Sequence, residues 1–271
     1  MTPVEFDYVC RLVRDRSGIV LETGKEYLVD ARLTPVARQC DLTSVSELVG
    51  RLQAGLDSGL AVRVVEAMVT TETSFFRDLH PFNTLRTTVL PDLIRRRQDE
   101  RRLTVWFAAC STGQEPYSFA LLIREYFPEL SGWRLELLAT DLSAEAIARA
   151  RAGVYSQIEV NRGLPAALLV KYFKQHGGTW ELSEEIRRMV EFREMNLTRP
   201  WPVLPRADLV FLRNVMIYFD VETKKAILSR VARVMRPDGY VLLGGAETTL
   251  NLNDSIRRVE HLKGGFYQLV A

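Results

Sequence analysis

From Leu103 onward, short continuous apolar runs alternate with helix-forming segments. LTVWFAAC (103–110), LELLATDL (135–142), ADLVFLRN (207–214), GYVLLGGAE (239–247) and GFYQLV (265–270) read as strands. Between them, GQEPYSFALLIREYF (113–127) opens a helix. SAEAIARARAG (143–153) forms another, with Ser143 as N-cap and Gly153 at its C-terminal end. VETKKAILSRVARVM (221–235) is expected to run as a helix until Pro237 stops it. Strands that are apolar throughout, separated by helices, imply a mostly parallel sheet covered on both faces. The alternation breaks over 154–195. There, KYFKQHGGTWELSEEIRRMVEFRE (171–194) suggests short antiparallel strands around Gly177 and Gly178, inserted into the α/β domain.

Residues 1–75 have no strand pattern and read as a small helical domain. Phe6, Val9, Cys10 and Val13 fall at helical spacing behind Thr2 and Pro3. A second helix is expected from Lys25 to Cys40, with Tyr27, Leu28, Ala31 and Leu33 as its buried stripe and Pro35 kinking or splitting it. Thr43, Ser44 and Glu47 start a third, which ends over 55–58, and a fourth runs from Gly59 to Val69. This part carries 8 Lys/Arg against 11 Asp/Glu. Residues 76–101 read as a connecting helix ending in Arg95, Arg96 and Arg97, where basic side chains suit the helix dipole and a solvated end is expected. Residues 102–271 form the α/β domain.

At 271 residues the chain has one large domain or two small ones, and 47% hydrophobic residues give it ample core. A net charge of +2 supplies no global field for nucleic acid. The apolar stretches 206–219 and 240–246 fall short of the roughly 20 residues of a membrane span. The start of the chain has no uninterrupted apolar region of a signal peptide. Three cysteines (Cys10, Cys40, Cys110) without paired spacing, and three scattered histidines, give no zinc cluster and point to a reducing, cytoplasmic setting. No metal is expected.

In such a sheet, ligands bind beyond the carboxyl ends of the strands. After the first strand, Ser111, Thr112 and Gly113 turn into a helix that begins with Glu115. This is neither GxGxxG nor a phosphate loop. An acidic residue there repels a pyrophosphate and attracts an ammonium group, although it could equally just satisfy the helix N-terminus. Asp141, after the second strand, stands where an acidic residue accepts from ribose hydroxyls; the plainer role is a helix cap. Arg213 and Asn214 end the third strand, and a buried Arg213 needs an anion or hydrogen-bond partners, a ligand's or those of a salt bridge within the fold. Phe75 and Phe76, adjacent in a polar stretch, ask for burial, and Arg77 could reach a carboxylate. A ligand with a ribose and an amino group but no diphosphate fits this set, and S-adenosylmethionine is one.

Five stretches in this order, ETSFFRD (72–78), ACSTGQEPYSFAL (109–121), ATDLS (139–143), FREMNL (192–197) and FLRNVMIYFD (211–220), resemble the CheR-type family of chemotaxis receptor methyltransferases. The resemblance covers nearly the whole chain. It implies a Rossmann-like class I S-adenosylmethionine-dependent methyltransferase domain with a small antiparallel β-subdomain inserted at 154–195, preceded by an all-α substrate-recognition domain. It implies methyl transfer to glutamate carboxylates of methyl-accepting chemotaxis receptors, with S-adenosylhomocysteine as product. By the same resemblance, Thr73 and Arg77 hold the cofactor and line the reaction site. Glu115 receives the methionine amino group and Asp141 the ribose, beside Gly113, which as a glycine lets a ligand approach the backbone. Asn196 and Leu197 flank the adenine, Arg213 and Asn214 close the pocket, and Tyr218 stands near the transferred methyl, with Arg77 and Tyr218 as the catalytic pair.

Three departures qualify this. Thr71 replaces an Asn that contacts the cofactor, which implies weakened binding. The turn 175–180 is shorter than the glycine-rich loop of members that dock a receptor's C-terminal peptide, which implies activity without such tethering. The segment 243–247 keeps its glycine and glutamate but lacks the family histidine. Arg32, Arg38, Arg51 and Arg63 are candidates for contacting acidic receptor helices. A monomer is expected, without membrane insertion. Two other readings compete: a methyltransferase of the same fold acting on a small molecule or nucleic acid, and a non-catalytic cofactor-sensing module.

Overall fold

Three of the four helices described in the first 70 residues start behind a capping side chain. In the computed structural model, which describes residues 1–55 and 57–270, the Thr2 hydroxyl accepts from the Glu5 amide while Glu5 reaches back to the Thr2 amide, starting α1 (Pro3–Ser17). Helix α2 spans Glu26–Gln39, α3 spans Val45–Gln53 behind its Ser44 cap, and α4 spans Ser58–Met68 behind Asp57. Leu56, within the expected end of the third helix, lies outside the described residues. The buried face of α2 is Val29, Leu33, Val36 and Ala37, so of the expected stripe only Leu33 is buried; Tyr27 is 74% exposed. Pro35 does not split α2 into two elements. Pro35 and Ala31 are both exposed, so water can serve the carbonyl that the proline cannot.

Contacts divide the chain into two compact units: Met1–Thr70 with Tyr218–Thr223, and Thr71–Ile217 with the residues from Lys224 onward. The first unit packs α1 to α4 around Val9, Val13, Leu33, Leu48 and Val64. Residues 218–223 join it through an Arg14–Asp220 ion pair of 2.6 Å and a hydrogen bond from the Val20 amide to the Tyr218 carbonyl (2.9 Å).

The second unit begins with a helix in three parts, α5 (His80–Thr84), a π turn (Leu85–Val89) and α6 (Leu90–Arg97). Its elements then follow in order: β1 (Arg102–Ala108), α7 (Gln114–Tyr126), β2 (Arg134–Asp141), α8 (Ala144–Ala152), β3 (Val154–Ser156), α9 (Gln157–Asn161), α10 (Ala166–Tyr172), β4 (Phe173–His176), β5 (Thr179–Leu182), α11 (Glu184–Arg187), β6 (Val190–Glu194), β7 (Ala207–Leu212), α12 (Val221–Val234), β8 (Met235–Leu243), β9 (Ile256–Arg258) and β10 (Phe266–Leu269). Seven strands form one sheet in the order β6-β2-β1-β7-β8-β10-β9. The five from β6 to β8 are parallel, and β10 runs antiparallel to both its neighbours. Strands β3, β5 and β4 form a separate antiparallel sheet.

Three expectations are corrected here. Val190–Glu194 is not part of the small antiparallel sheet but pairs parallel with β2 in the main one. As an edge strand it buries only Val190 and Phe192 and alternates with exposed charges, so it lacks the all-apolar run of an inner strand. The chain leaves helix α12 at Val234, and Pro237 lies within β8. The register there jumps from Ala207–Met235 to Leu209–Tyr240, an irregularity where a proline forfeits no ladder bond. Finally, Arg97 is not solvated. It is buried, donates from Nε to Asp208 (2.6 Å) and pairs with Asp238 (2.5 Å). Asp208 also accepts from the Thr104 amide (2.8 Å). This cluster ties α6 to the amino ends of β1 and β7, at the pole of the sheet away from the strand tips that carry chemistry.

Candidate active site

Strand order reverses between β1 and β7, so their carboxyl ends and that of β2 frame a crevice. Six non-glycine residues in the loops there have positive φ: Phe76, Asp78, Leu79, Ala109, Ser111 and Asn214. Each such conformation costs on the order of 1–3 kcal/mol and persists only where the surroundings impose it, which makes these loops the place to seek function.

Beyond β1, Gly113 starts α7 at φ +93, and a Cβ there would sit 2.9 Å from that of Ala150. Helix α7 has no side-chain cap, and the Glu115 carboxylate turns instead to Arg213, whose side chain is 2% exposed. The helix-capping reading of Glu115 therefore falls away, and the internal salt bridge is one of the anions that Arg213 required. A second is Asp78, 2.7 Å from Nη2 of Arg213. Burial pushes the Glu115 carboxyl above its usual range, opposed by the Arg213 guanidinium.

Beyond β2, Asp141 is 6% exposed. It accepts from the Ser111 amide (2.7 Å) and the Ser143 amide (3.0 Å). Ser143 alone caps α8, through the Ala146 amide, so Asp141 is not the cap. Burial raises the Asp141 carboxyl too, against those backbone donors. Its carbonyl receives the Met195 amide (2.8 Å), which brings the stretch after β6 alongside. There Asn196 accepts from the Thr198 amide and hydroxyl, and the Leu197 carbonyl accepts from Trp201 (3.1 Å).

The stretch 71–78 is stitched to this site. The Ser111 hydroxyl donates to the Thr71 carbonyl (2.8 Å), and the Phe76 amide donates to the Ser118 hydroxyl (2.8 Å). Phe75 is fully buried, edge-on to Tyr155, and Phe76 meets Phe82, which gives the paired phenylalanines their place. Thr73 is half-buried. Arg77 is 27% exposed and pairs with Glu72 at 2.9 Å. Glu72 also binds Arg162 (2.5 Å), from the segment after α9.

Sequence reasoning assigned Glu247 no role. Its carboxylate accepts four backbone amides, those of Asn214 (2.8 Å), Val215 (3.0 Å), Met216 (2.8 Å) and Gly244 (2.8 Å). It thus fixes the loop after β7 that carries Arg213 and Asn214. The sequence signals were an acidic residue just past a strand, with two glycines before it, and its place as the glutamate that the 243–247 segment shares with the family. Tyr218 ends a short 3₁₀ turn (Met216–Tyr218), is half-buried, and belongs by contact to the helical unit.

Among the described residues, Arg213 Nε and Asn214 Oδ1 are buried without a hydrogen-bond partner. The family model for the CheR methyltransferase SAM binding domain matches residues 71–264, and that for the CheR methyltransferase all-alpha domain matches 4–69. The chain belongs to the CheR methyltransferase family. It is 42% identical over 255 residues to chemotaxis protein methyltransferase 1 of Pseudomonas aeruginosa, covering 93% of this chain and 92% of that one. It is 39% identical to chemotaxis protein methyltransferase Cher2 of Pseudomonas putida over 269 residues, 98% of each. With the chemotaxis protein methyltransferase of Salmonella typhimurium it shares 34% over 257 residues, 93% of this chain and 86% of the other. The resemblance drawn from the five sequence stretches is thereby borne out. So is the fold class: an S-adenosylmethionine-dependent class I methyltransferase domain carrying a small antiparallel sheet, with an all-α domain before it.

The CheR-family site suits that cofactor chemically. Glu115 and Asp141 are buried carboxylates, which have acceptor capacity beyond the bonds they make and suit an ammonium group and hydroxyls. Asn214 adds an unpartnered acceptor. Cys110, 2% exposed at the end of β1, has its thiol pushed well up by burial and is no nucleophile. Among the described residues, no three His, Cys, Asp or Glu side chains are grouped to hold a metal ion, and no helix is long and apolar enough to cross a membrane.

Proposed function

We propose that this chain methylates glutamate side chains of chemotaxis receptors, giving glutamyl methyl esters. The observation that carries the reading is Arg77. A cation held by a carboxylate lies in the stretch hydrogen-bonded to the cofactor loop, in a chain of the CheR methyltransferase family. When bound, S-adenosylmethionine supplies an electrophilic methyl group on a sulfonium. Glu115 and Asp141 would hold its amino group and ribose, with Thr71, Thr73, Gly113, Asn196, Leu197, Arg213 and Asn214 around them.

The acceptor glutamate is ionised at neutral pH, so the chain needs no strong base. Its residues bind, orient and exclude water. Positioning in a near-attack geometry supplies roughly 7–11 kcal/mol in favourable model systems. Arg77 would orient the acceptor carboxylate. Glu72 tempers it, because a fully unopposed guanidinium would hold the carboxylate's electrons and lower its nucleophilicity. Tyr218 joins Arg77 as a catalytic residue on the strength of the family resemblance alone.

The helical residues 1–75 would recognise the receptor. Arg32 and Arg63 are spent within that unit, on the Met68 carbonyl (2.8 Å) and on Gln39 (2.7 Å). Arg38 and Arg51, exposed and without an ion pair among the described residues, remain as contacts for acidic helices. Activity without a tethering peptide is supported by the two-residue turn Gly177–Gly178, since His176 pairs directly with Thr179. We further place the protein in the cytoplasm as a monomer.

Incubation with labelled cofactor and the cytoplasmic helical fragment of a receptor from the same organism tests the reading. Alkali-labile label, equal with and without the receptor's C-terminal segment, is the expected result. Absence of label across the organism's full receptor set, despite measurable cofactor binding, would overturn it.

A further inference from the structure

Beside the site, the loop before α5, the tip of β8 and the β9–β10 hairpin enclose a cleft of about 450 Å³, lined by Asp78, His80, Arg213, Glu247, Arg258 and Lys263 among others. Three cations and two carboxylates line it. Asp78 is spent on Arg213, which also holds Glu115. Glu247 is spent on four backbone amides. Arg258 and Lys263 are exposed and form no ion pair among the described residues. The charged side chains of this lining left without an ion pair or a set of backbone donors are thus the two cations, Arg258 and Lys263.

Both cations stand on fixed backbone. Arg258 lies on β9, opposite Tyr267 of β10. Lys263 precedes Gly264 and Gly265, at φ +103 and +83. A Cβ on Gly264 would come within 2.9 Å of Pro81, and one on Gly265 within 2.9 Å of the Leu243 carbonyl. The glycines let the loop press against α5 and β8, which sets Lys263 at the rim.

We infer that this cleft seats an acidic side chain of the protein substrate, next to the glutamate being methylated, with Arg258 and Lys263 as its partners. The inference rests on the proposed function. A second carboxylate held there would fix the register in which the acceptor presents itself. It also selects acceptors with acidic neighbours.

The test uses the full chain, its R258Q/K263Q variant, and two receptor fragments. One fragment is native. In the other, acidic residues flanking the acceptor glutamates are changed to glutamine. Fragment binding is measured in the presence of S-adenosylhomocysteine, and KM alongside it. The double variant should bind the native fragment roughly fivefold more weakly, with KM rising more than kcat falls, the size of two exposed charge contacts. It should bind the two fragments alike, whereas the native enzyme distinguishes them. Unchanged fragment affinity, or a loss confined to cofactor affinity, would overturn the inference. Because binding is read without turnover, a native enzyme that fails to transfer methyl sinks the proposed function while the cleft is still decided.

Discussion

Arg77 already faces a carboxylate, that of Glu72, and this sets a prediction at the level of one residue. Glu72→Gln removes the charge that tempers Arg77 but keeps its side-chain length. The receptor substrate should then bind more tightly, with KM falling about threefold, while kcat falls by a similar factor. Cofactor affinity should stay within about twofold, measured by titration calorimetry. A parallel loss of cofactor affinity and kcat would show that Glu72 merely braces the loop through Arg162. Arg77→Ala should lower kcat by about tenfold or more with a smaller effect on cofactor affinity, as expected of a group used mainly in positioning. Equal losses in steady-state kinetics and titration would make Arg77 a cofactor ligand only.

Elements matter here chiefly at their ends. The loops after β1 and β7 hold residues in the left-handed region, and something must keep them there. After β7 that something is Glu247. Replacing it with alanine strands several buried amides, and chemical denaturation should show a loss of roughly 2–4 kcal/mol. Cofactor affinity should fall with it, because the Arg213–Asn214 loop loses its anchor. Stability equal to the native chain would contradict this role. Strands, caps and the loops bearing Glu115, Asp141 and Arg213 were legible because each is local: an apolar run, a serine before a helix, a charge just past a strand. Glu247's role was not, because it serves backbone amides some thirty residues away. Arg97 escaped for the same reason. In the sequence it ends a basic run, and only the fold brings Asp208 and Asp238 to it.

At the scale of the molecule, the alternation after Leu103 announced a parallel sheet covered by helices, and the sheet is there. Its edges were harder to see. Strand β6 alternates in burial, and β9 has three residues, too few to show a period. The pairing of ligand roles with Glu115 and Asp141 came from their places after β1 and β2. The competing internal bond of Arg213 to Glu115 needed β7 and α7 side by side. The central claim, that the chain esterifies receptor glutamates, is tested most directly by mapping the methyl group. Receptor fragment methylated by the native enzyme would be digested and sequenced by mass spectrometry, before and after mild alkali. The account predicts methyl esters on glutamates flanked by acidic residues, all removed by alkali. Methyl groups on other side chains, or a modification that survives alkali, would contradict it.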